Sequence, residues 1–398
     1  MCGICGILNY GNSGDTFDES FLVKMSDTLA HRGPDDAGTY RSPDRKVGFG
    51  FRRLAIVDLS PAGHQPMTTA DGSVVLMMNG EIYNHAILRR DLEAKGYRYR
   101  SRSDTETVLY AYQEYGLQFV DKLLGMFAIA VWDRDHRRLV LARDRIGIKP
   151  LYFAQAGGNF LFGSEIKAIL QHPSVHRALD EDMLEQYLTF LMPPAPKTLF
   201  KDIYKLEAGH RLVVNADGEI FKEQYWEPVP AGPQPSIDLD GNPVPDSLYR
   251  SGHFSFSEAN IVPGIRQLLR QSIKDRMMSD VPFGVFLSGG IDSSTNVALM
   301  AELMDRPVDT FSVGIRDLEK YNEMGYARQI AKQFKTNHRE IMIDQRDAFE
   351  FLPKLVFHQD EPLADPVCIP LYFVSKLARE SGTIVVQVGE GSDEQFAG

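Results

Sequence analysis

The chain has little cysteine: Cys2, Cys5 and Cys368 are the only three among 398 residues. That excludes a disulfide framework and points to a reducing cytoplasm. It has no excess of positive charge. The formal net charge is −11, which excludes a broad electrostatic grip on nucleic acid or anionic lipid. No apolar run approaches the ~20 residues that a membrane span needs. The first residues, MCGICGILNYG, lack a basic stretch followed by a long apolar one, so no signal peptide is expected there. No G-x-x-x-x-G-K-[ST] occurs, which excludes a Walker-type phosphate loop. What remains is ordinary for a globular protein, 43% hydrophobic and 24% charged. The length predicts two domains of roughly 150–200 residues each.

Up to about residue 226 the pattern is strands and hairpins. VGFGFRRLAIVDL (47–59), SVVLMMNGEIYN (73–84) and MFAIAVWDRDHRRLVLARD (126–144) are rich in β-branched and aromatic residues. Residues 126–144, 151–165 and 210–226 read as hairpins, the last turning at Asp217-Gly218. Helical periodicity is found at 17–30, 85–95 and 105–115, so a layered α+β domain is expected over 2–226. Between 227 and 257, Pro228, Pro230, Pro233, Pro235, Pro243 and Pro245 rule out regular helix or central strand, and a linker or surface excursion is expected. From 258 to 398 strands and helices alternate. VPFGVFL (281–287), DTFSVGI (309–315), HREIMI (338–343) and TIVVQV (383–388) are strands, with helices through Met304, over 322–334 and over 369–380. Alternation predicts a parallel sheet that binds ligands at the carboxyl ends of its strands.

Cys2 is the first residue of chemical interest. A small residue at position 2 permits removal of Met1, and an N-terminal cysteine carries its own base. Its α-amine has an ordinary pKa near 7.7–8.0, close to that of the thiol, so the two can exchange a proton at neutral pH. Cys2 alone reads more readily as an unprocessed, unimportant residue. A redox or metal role for Cys2-Gly3-Ile4-Cys5 would need a preceding strand or a second ligand pair, and neither is present. Cys5 reads as a small buried apolar residue.

The company of Cys2 decides between these. MCGICGIL, HRGPDDAG (31–38), FRRLAIVDLS (51–60), HQPM (64–67), NGEIYNH (79–85), SDTE (103–106), GMFAIAVWD (125–133), RDRIGIKPLYF (143–153) and GSEIKAIL (163–170) follow one another in one order. The series resembles the class II glutamine amidotransferase domain of glutamine-hydrolysing asparagine synthetases, an N-terminal nucleophile hydrolase whose two sheets are sandwiched between helices (αββα). The resemblance implies Cys2 as nucleophile and Asn79 with Gly80 as the oxyanion hole. It further implies a glutamine pocket of Arg53, Ile56, Val57, Asn79, Gly80, Glu81 and Asp104. Arg53 would clamp the α-carboxylate, a bidentate task suited to guanidinium. Glu81 and Asp104 would hold the ammonium and amide groups. Locally, Asn79-Gly80 reads equally well as a type I′ turn, and Arg53, Glu81 and Asp104 as surface charges. His31 is assigned no proton transfer, because the resemblance gives its block a loop-shaping role.

In the second half, FLSGGIDSS (286–294) joins a strand to a helix. Two glycines let the backbone approach phosphate, and serines with the helix N-terminus supply donors. An ordinary Gly-rich turn is the plain alternative. S-G-G-x-D-S-[ST] resembles the pyrophosphate loop of ATP pyrophosphatases, and GEGSDE (389–394) matches a further asparagine synthetase block. The resemblance implies an ATP site of Phe286, Leu287, Ser288, Gly289, Gly290, Asp292, Ser293, Val313, Val388 and Gly389, with Mg²⁺ on Asp292 and Asp393. Val388 stands where the family often has serine. Glu390 would handle protons when ammonia attacks an acyl-adenylate.

The resemblance thus implies an α/β ATP-pyrophosphatase domain after the amidotransferase domain. Ammonia from glutamine would pass through an enclosed passage to a carboxylate activated as acyl-AMP, with aspartate as acceptor and asparagine as product. A cytoplasmic homodimer with no nucleic-acid or membrane partner is the corresponding expectation. DEPLADPVCIPLY (360–372) departs from the Thr-Thr-x-Arg-Ala-Ser-type segment of some members and resembles other bacterial members, some of which amidate carboxylates on cell-wall or surface-glycan precursors. The family also runs on beyond the equivalent of Gly398. The parallel sheet is therefore expected to be incomplete, and this chain to hydrolyse glutamine while making little amide product. A regulatory protein without turnover is the reading from another class. Intact Cys2, Arg53, Asn79 and Asp104 argue against it.

Overall fold

Two antiparallel sheets form the first half of the protein. In the computed structural model every residue is described except 12–16, 229–235, 238–242, 245–257, 317–321 and 397–398. The first sheet has the order β10 (Ile203–Lys205), β8 (Tyr152–Ala156), β9 (Asn159–Gly163), β1 (Gly3–Asn9), β3 (Val47–Arg53), β2 (Asp36–Arg41). The second has the order β12 (Ile220–Gln224), β11 (His210–Asn215), β7 (Arg138–Arg143), β6 (Gly125–Asp133), β5 (Val74–Ile82), β4 (Met67–Thr68).

The side-chain period of two sorts these strands into layers. Ile4, Leu8, Phe49, Phe51, Phe160 and Phe162 of the first sheet meet Val75, Met77, Ala128 and Ala130 of the second. Each buried phenylalanine there contributes about 1.5–3 kcal/mol. The alternate residues point outward. Leu76, Met78, Ile129 and Val131 pack under helices α2 (His85–Ala94) and α3 (Asp104–Tyr115). Cys5, Ile7 and Leu161 pack under α1 (Glu19–Asp27) and α4 (Ile166–Ile169). The expected αββα sandwich is what forms. Asn79-Gly80 is not a turn. Both residues sit inside the β5 ladder, opposite Ala128 and Phe127. A Cβ on Gly80 would lie 2.2 Å from the Met126 carbonyl, so glycine is required for the strands to approach.

The second half carries a four-stranded parallel sheet in the order β17 (Asn337–Ile343), β16 (Asp309–Ile315), β15 (Phe283–Phe286), β18 (Val385–Gln387). One face buries Val285, Val297, Met300, Ala327 and Ala331 beneath α7 (Ile291–Leu303) and α8 (Met324–Phe334). The other packs Phe311 against Val374 and Ala378 of α10 (Cys368–Glu380). Helices α5 (Asp182–Phe190), α6 (Glu258–Arg276) and α9 (Gln345–Gln359) were not expected. The latter two carry interior prolines, Pro263 and Pro353, which read as breakers in the sequence. The Pro-rich stretch 227–257 falls mostly outside the described residues; within it β13 (Ser236–Ile237) and β14 (Pro243–Val244) pair antiparallel.

By its contacts the chain divides into Met1–Glu227 with Glu350–Pro366, and Pro228–Phe349 with Val367–Gly398. The first of these divisions falls after Glu227. Residues 350–366, expected with the second domain, pack instead with the first. Among the described residues no helix is long and apolar enough to cross a membrane.

Candidate functional site

Strand alternation builds the N-terminal site. Cys2 immediately precedes β1 and continues the inward row of Ile4 and Leu8, partly buried against the inter-sheet core. Asn79 and Glu81 likewise continue the inward row of Val75 and Met77 on β5. The two rows end together, close enough for Cys2, Glu81, Lys149 and the terminal amine to shift one another's proton affinities.

The thiol of Cys2 donates to the Leu54 carbonyl at 3.6 Å, and Sγ accepts the Leu54 N–H at 3.4 Å. Burial pushes this thiol up, opposed by the terminal amine, the Leu54 N–H, Arg53 and Arg32. Burial also pushes the Met1 α-amine down to about 5. Asn79 is buried, and among the described residues neither its Oδ1 nor its Nδ2 has a hydrogen-bond partner.

Arg53 is buried rather than a surface arginine. Its guanidinium donates to the carbonyls of Val57 (3.4 Å), Asp58 and Ser60 (3.2 Å), which ties down the loop carrying Ile56 and Val57. Its neighbour Arg52 pairs instead with Asp27. Asp104 opens α3, and its Oδ2 accepts the Ile82 N–H at 2.8 Å. Glu81 and Asp104 are therefore two buried carboxylates beside one another. Burial and the Asp104 charge push Glu81 up to about 7, and burial pushes Asp104 up to about 6.

That strain gives a sign to the pH dependence. The unfolded chain releases the Asp104 proton near pH 4, whereas the folded chain holds it to about pH 6. This group's contribution to stability therefore falls as pH rises through that window, and its cost is complete above it. Asp104→Asn can keep the bond from Ile82 without the charge. It is expected to stabilise the protein at pH 8 by about 1–3 kcal/mol, with the gain vanishing below pH 4, while glutamine hydrolysis drops. Thermal melts of both forms at pH 4 and pH 8 check this; an unchanged or lower midpoint at pH 8 counts against a strained carboxylate.

Three buried charged residues were missed by the sequence reading. Lys149 is buried with Nζ 3.2 Å from the Met1 Sδ, in a turn whose backbone N–H groups at 148 and 149 donate to Asp144. Arg32 donates from Nε to the Cys2 carbonyl at 3.0 Å and from Nη1 to Glu165 at 2.8 Å. Glu165 also takes His31 at 2.9 Å and Lys167. Burial would raise Glu165, but His31, Arg32 and Lys167 outweigh it and hold the carboxyl at about 2. All three residues lay inside the quoted blocks, where a lone charge reads as solvated.

The second site lies where β15 and β18 end. Gly289, at φ +94, turns the chain into α7. The turn is closed by Ser288 Oγ and Ser293 Oγ at 3.0 Å and by the Gly290 N–H on Ser288 Oγ at 3.2 Å. A Cβ on Gly389 would lie 3.0 Å from that of Asp292, so the loops after the two strands touch. Asn296 Nδ2 donates to the Val388 carbonyl at 3.0 Å across the same gap. Glu390 and Asp393 follow on this loop, Asp393 in the first turn of a short helix, α11 (Ser392–Phe396). Phe286 and Val313 are partly buried beside the core formed by Phe311. Leu287 is in the core with its N–H on the Phe311 carbonyl and its own carbonyl accepting from Ser312, so its backbone is committed to the sheet. Among the described residues no three His, Cys, Asp or Glu cluster as a metal site.

Residues 1–226 match the glutamine amidotransferase domain model, and 264–398 match the asparagine synthase model. The chain belongs to the glutamine-hydrolysing asparagine synthetase family. It is 37% identical over its whole length to asparagine synthetase [glutamine-hydrolyzing] 1 of Bacillus subtilis, of which it spans 59%. It is 35% identical to a putative asparagine synthetase [glutamine-hydrolyzing] 2 of Methanocaldococcus jannaschii, again over its whole length and over 75% of that protein. Amidase chyE of Penicillium rubens is 30% identical, with all of this chain and 59% of that one aligned. The chain thus spans about three fifths of the Bacillus relative's length.

Proposed function

We propose that Met1 is removed and that Cys2 then hydrolyses glutamine, delivering ammonia to a carboxylate activated with ATP, aspartate being the acceptor and asparagine the product. The observation that carries the first half is Asn79. An amide buried without a partner costs about 1–3 kcal/mol, and a protein keeps one where a ligand completes it. Here it stands on the inner row that ends beside the nucleophile.

In this reading the α-amine takes the thiol proton and Sγ attacks the glutamine amide carbon. The tetrahedral oxyanion rests on the Asn79 side-chain amide and the Gly80 N–H. The carbon–nitrogen bond breaks, the amine returns its proton to the departing nitrogen, and ammonia leaves a thioester. Water then frees glutamate. Arg53 binds the α-carboxylate either directly or by fixing the loop of Ile56 and Val57, and Glu81 and Asp104 face the ammonium. A substrate cation relieves the strain between those two carboxylates.

For the second half, Ser288, Gly289, Gly290 and Ser293 would cradle pyrophosphate, with Phe286, Leu287, Val313, Val388 and Gly389 along the nucleoside. Asp292 and Asp393 would hold Mg²⁺, since two carboxylates with phosphate oxygens suit that ion, which would neutralise phosphate charge. Glu390 would move the proton of the attacking ammonia. A homodimer in the cytoplasm belongs to the same proposal.

The test is to supply glutamine, MgATP and aspartate and to measure glutamate, AMP, pyrophosphate and asparagine. Asp292→Asn is expected to suppress AMP and pyrophosphate by at least about tenfold while sparing glutamate release. ADP as product refutes the pyrophosphate loop. AMP and pyrophosphate formed with a carboxylate of a cell-wall or surface-glycan precursor, and none with aspartate, move the acceptor to that class.

A further inference from the structure

Lys167 lies in α4, directly after the turn that follows β9, and its ammonium is enclosed. It touches Glu165 on one side and Asp360 on the other at 3.0 Å, with the Phe357 ring 5.0 Å from its nitrogen. Asp360 also accepts the Lys167 backbone N–H at 3.1 Å. Asp360 holds φ +64, a conformation that side chains other than glycine, asparagine and aspartate rarely take. Its carboxylate is thus placed by the backbone. Asp360, Lys167, Glu165 and Arg32 alternate in sign, and each side chain is nine-tenths buried. The series ends on the Cys2 carbonyl through Arg32 Nε at 3.0 Å.

We infer that Asp360 is a positioning residue for glutamine hydrolysis, acting on the Cys2 peptide through Lys167, Glu165 and Arg32. The inference rests on the proposal that Cys2 is the nucleophile. Arg32 fixes the Cys2 carbonyl and hence the peptide plane from which the amine and the thiol project. Glu165 fixes Arg32. Lys167 is shared by two carboxylates; without Asp360 it draws Glu165 wholly to itself and loosens the Arg32 contact. Asp360 lies within the part of the chain that matches the synthase model, so a residue from that half of the sequence sets the geometry of the first half's reaction.

Glu361 gives the control. It pairs with Lys205 at 2.6 Å and accepts the Leu199 N–H at 3.1 Å, anchoring the same segment without touching the relay. Asp360→Asn keeps the shape and tolerates the backbone conformation. It is expected to lower kcat for glutamine about tenfold with KM moved less than about twofold. Glu361→Gln is expected to lower the melting midpoint and leave kcat unchanged. Combining Asp360→Asn with Arg32→Lys should cost no more than the larger single loss, because both cut one path. If Asp360→Asn does not fold, Lys167→Gln cuts the same link. Wild-type kcat in the cut variant, equal kcat losses in the Asp360 and Glu361 variants, or additive losses in the double variant overturn the inference. Cys2→Ala runs alongside: hydrolysis surviving in it defeats the nucleophile itself, whereas hydrolysis lost there but intact in Asp360→Asn defeats only the relay.

Discussion

Cys2→Ala is expected to abolish glutamine hydrolysis, by more than about 10⁴-fold, in a protein that melts within about 1 kcal/mol of the original. The proposed reaction loses its nucleophile. The fold loses one sulfur, whose polar contacts are the Leu54 N–H and carbonyl at the rim of the core. Cys5 cannot take over, because it faces the opposite layer, fully buried against the α1 side, with burial pushing its thiol up to about 12. Mass spectrometry of the active protein should show Met1 absent. An active enzyme that retains Met1 would refute the amine as base, since its amine would lie one residue too far along.

Asn79→Ala is expected to lower kcat by about 10²–10³-fold with little change in KM, the usual effect of deleting one oxyanion donor. Its effect on stability is what distinguishes this site from an ordinary buried amide. Gln65 is also buried, but both ends are used: its Oε1 accepts the Met78 N–H at 2.7 Å and its Nε2 donates to Thr105 at 3.0 Å. Gln65→Ala should therefore cost about 1–3 kcal/mol by orphaning those groups. Asn79→Ala removes an amide with no partner among the described residues, so it should melt no lower than the original. If the two variants lose equal stability, the Asn79 amide is a structural one.

The layers were legible because alternation is a local signal. Thr310, Phe311, Val313 and Ile315 make 309–315 rich in β-branched and aromatic residues, and the strand there has those bounds. The three N-terminal hairpins were legible for the same reason. Helix α9 was not, since Pro353 interrupts a pattern that packing nevertheless sustains. Cys2, Asn79 and Glu81 were found through their order in a family series. Their convergence depends on which face of each strand they occupy, and that follows from the register of β1 and β5. Lys149, Arg32 and Glu165 escaped notice because a buried charge is recognised only by its partners, and those lie far away in sequence. Arg53 was read as a ligand clamp, while the loop carbonyls that occupy its guanidinium could be seen only once the turn at 57–60 had a shape.

The attachment of residues 350–366 to the first unit also sets an order of assembly. A ribosome that has reached Glu227 has already made both sheets, yet Lys205 still lacks Glu361 and Lys167 has Glu165 without Asp360. At about 5–20 residues per second, the ~130 residues up to Glu361 take roughly 7–27 seconds. Throughout that interval Lys205 is open to the wrong acid and Lys167 has one carboxylate in place of two. A gene cut at the apparent domain boundary would make that interval permanent. Such a fragment should release its Arg32 contact and bind chaperones for longer than the uncut chain.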